Sequence, residues 1–228
     1  MGMDYGNFTN KKKDFSESEI KLKKEVLLQV SQALFQGKDP KELAKLISLD
    51  PGLVFLILKY INSAFFSLQK EIKSVESALA YLGYKNLRNY ILTLLASHLL
   101  ESTANSKEKI EKAINRAFLM QNLCNFLQPE HKDEAYLVGL FSILAEELPE
   151  DELINTLRQA KVSDYVISGL KDKNSMLGSL LSTVKEFEEY GLSYLSKLIE
   201  KLKLDKNLIF QALQKAQEEA NDLLKLIP

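Results

Sequence analysis

The sequence predicts an all-α protein, and three features of its 228 residues lead to that prediction. Glycine and proline are scarce, with 9 and 5 residues, which leaves too few turns for a many-stranded fold. Apolar residues recur at the three- and four-residue spacing of amphipathic helices along most of the chain. Strong helix-start signals, an aspartate followed by a proline, stand at Asp39-Pro40 and Asp50-Pro51. We therefore expect about ten to twelve helices.

The N-terminal half divides into short helices. Residues 1–15 are polar and without period, so we expect a disordered tail or linker there. The first helix is predicted to begin at Ser16, which has capping-box spacing with Glu19, and to end at Gly37. A short amphipathic helix follows Asp39. The helix after Asp50 is apolar nearly all round, so it must be buried on most sides.

Two further helices complete this half. Ser74 is predicted to cap a helix that Gly83 closes, and a second runs from 85 to 100. A polar break follows at 101–106. The helices expected beyond it are near 107–128, 131–148, 150–160, 163–170, 175–190, 192–202 and 206–226.

The chain from 16 to 228 is predicted to be a single helical domain with packed subdomains at 16–104 and 105–228. Its 30 basic and 31 acidic residues are evenly mixed, so we expect neither a nucleic-acid partner nor a membrane partner. No apolar run approaches the roughly 20 residues that span a bilayer. The N-terminus lacks the apolar segment of a secretory signal, which favours a cytoplasmic location.

Metal-dependent and nucleophilic catalysis lack the residues that they need. The sequence has two histidines, His98 and His131, and one cysteine, Cys124, whereas a zinc site takes three or four ligands. We interpret His98 as a helix-terminal residue, His131 as a surface or first-turn residue and Cys124 as a core residue. No phosphate-binding or dinucleotide-binding glycine motif is present. We expect no catalytic residue, no metal and no cofactor.

Acidic clusters are the remaining candidates for chemistry. They comprise Glu146-Glu147, Glu150-Asp151-Glu152, and Glu186 with Glu188-Glu189. Because they alternate with lysines on helical faces, we interpret them as solvated surface rather than as paired catalytic carboxylates.

An ordered set of motifs between Leu43 and Leu95 closely resembles the HDOD family. The motifs are Asp50-Pro51, Asn62-Ser63-Ala64, Ile72-Lys73-Ser74, Ala78-Leu79, Leu82-Gly83 and Leu87-Arg88. The resemblance implies an HD-like orthogonal helical bundle. It also implies that six positions hold this family's structural motif: Asp50, Pro51, Asn62, Ser63, Gly83 and Arg88.

The family is related to the HD phosphohydrolases, which hold a metal with a histidine, a His-Asp pair and a further aspartate. The resemblance sets Arg116, or a neighbour, at the first histidine, and sets Ser142-Ile143 at the His-Asp pair. Serine and isoleucine cannot replace an imidazole and a carboxylate as ligands. If a ligand pocket exists, we expect it at this vestigial site, near Arg116 and Ser142. Arg116 is either an anion contact or a salt-bridged helix residue, and we favour the second.

The C-terminal half resembles the HDOD portion of proteins that carry an EAL domain, which is a cyclic di-GMP phosphodiesterase or a degenerate relative. This implies a non-catalytic bacterial signal-transduction or protein-interaction module in a pathway linked to cyclic di-GMP. Its partners would be signalling proteins and a fused or upstream EAL domain, and a homodimer is compatible with the sequence. Two alternatives stay open: a divergent HD-type metal-dependent phosphohydrolase, and a nucleotide-sensing regulatory domain.

Overall fold

The structure is a computed structural model, and it describes residues 20–63, 66 and 68–228. Within these ranges every regular element is helical, which confirms the all-α prediction. The twelve α-helices are α1 (Lys24–Phe35), α2 (Pro40–Ile47), α3 (Pro51–Ile61), α4 (Val75–Leu100), α5 (Ser106–Leu127), α6 (Lys132–Ser142), α7 (Leu144–Glu147), α8 (Glu150–Gln159), α9 (Asp164–Lys171), α10 (Met176–Tyr190), α11 (Leu195–Leu202) and α12 (Lys206–Leu224). Short 3-10 helices at Pro129–His131 and Gly191–Tyr194 precede α6 and α11.

The first helix begins later than the sequence predicts. Residues 20–23 are not helical, and α1 begins at Lys24 after an extended Lys23. In this segment the side chains of Ile20 and Leu22 pack against the core. Ile20 lies so close to Gly52 at the start of α3 that a Cβ added to Gly52 would be 2.8 Å from Ile20 Cγ2. The predicted helix start at Ser16 and Glu19, like the predicted tail at 1–15, lies outside the described residues.

The two predicted aspartate caps are confirmed. The Asp39 carboxylate accepts a hydrogen bond from the Lys41 amide at 2.8 Å. The Asp50 carboxylate accepts from Gly52 at 3.0 Å and from Leu53 at 3.2 Å. In both helices a proline lies in the first turn. The backbone N–H groups there have no partner within the helix, so the N–H that proline lacks is not missed. These local devices set where α2 and α3 begin.

The helical backbone is interrupted at Gly83 within α4, as predicted. Gly83 has φ 69° and ψ 167°, a conformation open to glycine, so the two predicted helices are joined across a kink. Ser74 caps α4 by accepting from the Ser77 amide at 3.2 Å, as predicted. The predicted helix at 131–148 is instead divided at Ile143, between α6 and α7.

A hydrophobic core extends from α1 to α12, and α5 packs against α4, α6, α10 and α12 within it. The crossing of α5 and α6 is close because Gly139 has no side chain. A Cβ added there would lie 2.7 Å from both Ala117 Cα and the Arg116 carbonyl oxygen. This approach brings the buried ends of the Arg116 and Ser142 side chains together. Among the helices of the described chain, none is both long and apolar enough to cross a membrane.

Candidate functional site

The polar centre of the protein is the guanidinium of Arg116 on α5. The Arg116 side chain is 2% exposed, among the most buried of the large side chains described. Its Nε and Nη2 donate to the Glu188 carboxylate of α10 at 2.9 and 2.6 Å, a two-pronged arrangement. Its Nη1 donates to Ser142 Oγ at 2.8 Å and to Glu146 Oε1 at 3.2 Å. All three guanidinium nitrogens therefore have partners within the chain.

Ser142 closes the inner side of this network. It stands at the end of α6, is 1% exposed, and donates from Oγ to the Gly139 carbonyl oxygen at 2.7 Å while accepting from Arg116. The next residue, Ile143, is 2% exposed and belongs to the apolar core. Ile143 has no ligating atom, and the Ser142 hydroxyl is engaged in two hydrogen bonds within the chain.

The charged groups around Arg116 form a connected set of ion pairs. Lys185 Nζ lies 2.6 Å from the Glu146 oxygen that also accepts from Arg116. Burial lowers the pKa of the Arg116 guanidinium, but hydrogen bonding to Glu188 and the charges of Glu188 and Glu146 outweigh burial and leave that pKa raised. Burial raises the pKa of the Glu146 carboxyl, but Lys185 and Arg116 reverse the shift and leave it lowered. Both pKa shifts favour the charged forms of Arg116 and Glu146.

The structure brings Arg116 and Ser142 together, and Arg116 is salt-bridged, as the favoured interpretation has it. Whether either contacts a ligand stays a prediction. Glu146 and Glu188 are exposed, in line with the interpretation of the acidic clusters as solvated surface, but each also forms an ion pair with the buried arginine, which that interpretation did not include. Sequence reasoning missed this role. The available signal was Arg116 itself, because an arginine within an apolar helical stripe requires a carboxylate partner.

Among the described residues there is no group of three or more His, Cys, Asp or Glu side chains that could hold a metal ion. His98 Nδ1 lies 3.5 Å from Glu101 at the end of α4, and the His131 ring lies against Tyr165 with centroids 4.7 Å apart. Cys124 is buried, as predicted, and burial raises the pKa of its thiol to about 11.

Two residues of the family motif, Asn62 and Arg88, contact other parts of the fold. The Asn62 side-chain amide donates to the carbonyl oxygens of Leu58 at 2.8 Å and Ile72 at 2.7 Å, and its Oδ1 accepts from the Ile72 amide at 2.7 Å. It thereby ties the end of α3 to the segment before α4. The Arg88 guanidinium lies 4.6 Å above the Phe35 ring. The Ser63 hydroxyl is buried and has no hydrogen-bond partner among the described residues.

Comparison with known proteins gives one family and two curated relatives. The HDOD domain model matches residues 24–157. A protein named cyclic di-GMP phosphodiesterase CdgJ, from Vibrio cholerae serotype O1, is 27% identical over 184 residues, covering 80% of this chain and 42% of its own. The uncharacterized protein YuxH of Bacillus subtilis is 25% identical over 185 residues, covering 81% of this chain and 44% of its own.

The chain belongs to the HDOD family, because the family model covers more than half of it. It spans less than half the length of the curated relatives that it matches. No solved structure gives a significant match.

Proposed function

We propose that this chain is a non-catalytic bacterial signal-transduction module that acts through protein partners in a pathway linked to cyclic di-GMP. The observation that carries the proposal is the Arg116 network. By the resemblance to the HD phosphohydrolases, Arg116, Ser142 and Ile143 stand at positions where those enzymes keep metal ligands. The residues present do not fit a metal ion.

The chemistry of the donor set supports this. A guanidinium has five N–H donors and no acceptor, and it does not deprotonate in proteins, so Arg116 cannot ligate a cation. Its positive charge already occupies the space between Glu188 and Glu146, only 2% exposed. A metal ion would have to displace this charge and leave the guanidinium buried without partners, a severe electrostatic cost. The ion pairs therefore give the region a structural role.

The link to cyclic di-GMP rests on the relatives. The Vibrio cholerae relative is named a cyclic di-GMP phosphodiesterase, but this chain corresponds to only 42% of it. We assign the activity in that name to the part of the relative that this chain does not match. In this proposal the HDOD chain regulates a cyclic di-GMP enzyme, such as a fused or separate EAL domain, by contact.

Two assays test the proposal. In the first, purified chain is incubated with cyclic di-GMP or bis(p-nitrophenyl) phosphate and with Mn²⁺, Mg²⁺ or Fe²⁺, and we expect no product above the metal-only blank. Metal-dependent turnover above that blank would establish a divergent hydrolase instead.

In the second assay, the gene is deleted in the host bacterium and cellular cyclic di-GMP is measured. We expect the level to change and the intact chain to restore it. An unchanged cyclic di-GMP level would refute the link to this pathway. It would not bear on whether the chain is catalytic, which the first assay tests.

A further inference from the structure

We propose that a cleft on another face of α5 binds a nucleoside monophosphate. The cleft is formed by α4, α5, α6 and α12 with Tyr60 of α3, and its volume is about 320 Å³. Neither Arg116 nor Ser142 lines it. Asn125 lines the cleft and lies on the opposite side of α5 from Arg116, about 180° around the helix at 3.6 residues per turn. The cleft is therefore separate from the ion-pair network.

Aromatic rings form part of its wall, and their positions are fixed. The Tyr60 and Tyr90 rings are stacked with centroids 4.0 Å apart, and the Phe118 ring meets Tyr136 edge-on at 5.2 Å. The Tyr90 hydroxyl donates to the Leu56 carbonyl oxygen at 3.2 Å, which holds the ring in place. Rigid aromatic walls favour a planar ring as the ligand, because stacking and edge contacts then cost little conformational entropy.

Carboxamides give the cleft its hydrogen-bonding capacity. Five of them line it: Asn86, Asn89, Gln121, Asn122 and Asn125. Asn89 Oδ1 is buried and lacks a hydrogen-bond partner among the described residues. A buried acceptor without a partner is costly, and a ligand donor would remove that cost. Carboxamides match the paired donors and acceptors on the edges of nucleobases, and the exocyclic amino group of a base supplies the missing donor.

The charges of the cleft fit one anionic group. Three lysines and two acids line it: Lys85, Lys132, Lys215, Asp133 and Glu219. Lys85 pairs with the buried Asp133, and Lys215 lies 3.8 Å from Glu219. Lys132 forms no ion pair with the described residues, so it is the cation available to a phosphate. A volume of about 320 Å³ lies at the small end of ligand pockets, which favours one nucleotide over a cyclic dinucleotide.

This proposal does not rest on the absence of catalysis. A nucleotide bound here and left intact would make the chain a sensor whose ligand state is passed to a partner. A nucleotide that binds here and is hydrolysed would overturn the proposed function and leave the cleft assignment standing. Calorimetry and product analysis on the same samples separate these outcomes.

The test is titration calorimetry of the full chain with AMP, GMP and CMP, alongside adenosine, ribose 5-phosphate and cyclic di-GMP. We expect a nucleoside monophosphate to bind at least about tenfold more tightly than either half-molecule, since base and phosphate contacts both contribute. Cyclic di-GMP is expected to bind more weakly. The assignment fails if no nucleotide binds at millimolar concentration, or if ribose 5-phosphate binds as tightly as the nucleotides.

Two asparagine variants locate the site. Asn89→Leu removes the unpartnered acceptor at similar volume, so we expect affinity to fall about tenfold while the melting temperature stays the same or rises. The control is Asn115→Leu on α5, outside the cleft, where the amide donates to the Glu111 carbonyl oxygen at 2.9 Å. We expect nucleotide affinity to be unchanged in this control. An Asn89→Leu protein that binds nucleotide like the wild type would overturn the assignment.

Discussion

Replacement of Arg116 by methionine perturbs the polar centre directly. Methionine keeps the unbranched apolar stem of arginine and removes the guanidinium, so it deletes hydrogen bonds to three side chains without leaving a large void. After the change, Glu188 keeps its charge with no partner in this network. Glu146 retains Lys185, and the Ser142 hydroxyl retains the Gly139 carbonyl oxygen.

The expected loss in the free energy of unfolding depends mainly on the unpaired Glu188 carboxylate. Breaking a buried pair by removing one partner costs about 3–5 kcal/mol, because the other charge stays buried. The Glu188 side chain is 23% exposed and can regain some water, which places the expected loss near the lower end, about 3 kcal/mol. For a chain of this size that corresponds to a fall in melting temperature of about 6–12 °C.

Urea denaturation followed by circular dichroism measures the free energy of unfolding for Arg116→Met, Glu188→Met and the double variant. The double variant is expected to lose about 2 kcal/mol less than the sum of the two single losses, since neither charge is then stranded. Arg158→Met on the exposed face of α8 is the matched control, with a loss below about 1 kcal/mol. A loss below about 1 kcal/mol for Arg116→Met, with additive single variants, would refute this reasoning.

Four further experiments, three substitutions and one thiol-labelling measurement, test other parts of the structure. Because the pKa of Glu146 is lowered by folding, its contribution to stability is complete above the ordinary value of 4.5 and is lost as the pH falls through the lower folded value. Glu146→Gln should therefore lose less stability than the wild type when melting is compared at pH 6 and pH 3, and an equal loss would contradict this. Cys124 should react with Ellman's reagent at pH 8 only after addition of urea, since burial raises its thiol pKa to about 11; fast labelling of the native protein would count against its burial. Asn62→Ala should cost about 1–2 kcal/mol in urea denaturation and speed exchange of the Ile72 amide, whereas unchanged exchange would mean that the clamp is dispensable. Gly139→Ala should cost about 1–3 kcal/mol by thermal melting, because its Cβ would meet the α5 backbone; a neutral result would show that the two helices can separate freely.

The helix starts at Asp39, Asp50 and Ser74 could be predicted because each cap is made within three residues of the sequence. The helix end at Gly83 could likewise be predicted, since glycine readily accepts the positive φ found there. The start of α1 was misplaced because the alternation of Ile20 and Leu22 is short, and its extended packing against the start of α3 depends on tertiary contacts.

The candidate site was predictable only in part. Arg116 and Ser142 could be paired from the sequence, because its resemblance to the HD phosphohydrolases implies that both stand at positions of metal ligands. Glu188 could not, because it is 72 residues from Arg116 and stands in an acidic run that looks solvated. The sequence does not indicate which distant helix a charged residue on a helix face will contact. The cleft beside Asn89 shares this limit, since its lining residues come from five helices.

We propose that the Arg116 network stands where the related phosphohydrolases hold a metal ion. The most direct test is the metal content of the purified chain, measured by plasma mass spectrometry after incubation with Mn²⁺, Fe²⁺ and Zn²⁺ and removal of free metal by gel filtration. We expect each metal to remain far below one ion per chain, with the same content in Arg116→Met. One or more tightly held ions per chain would contradict this expectation and favour the divergent metal-dependent hydrolase.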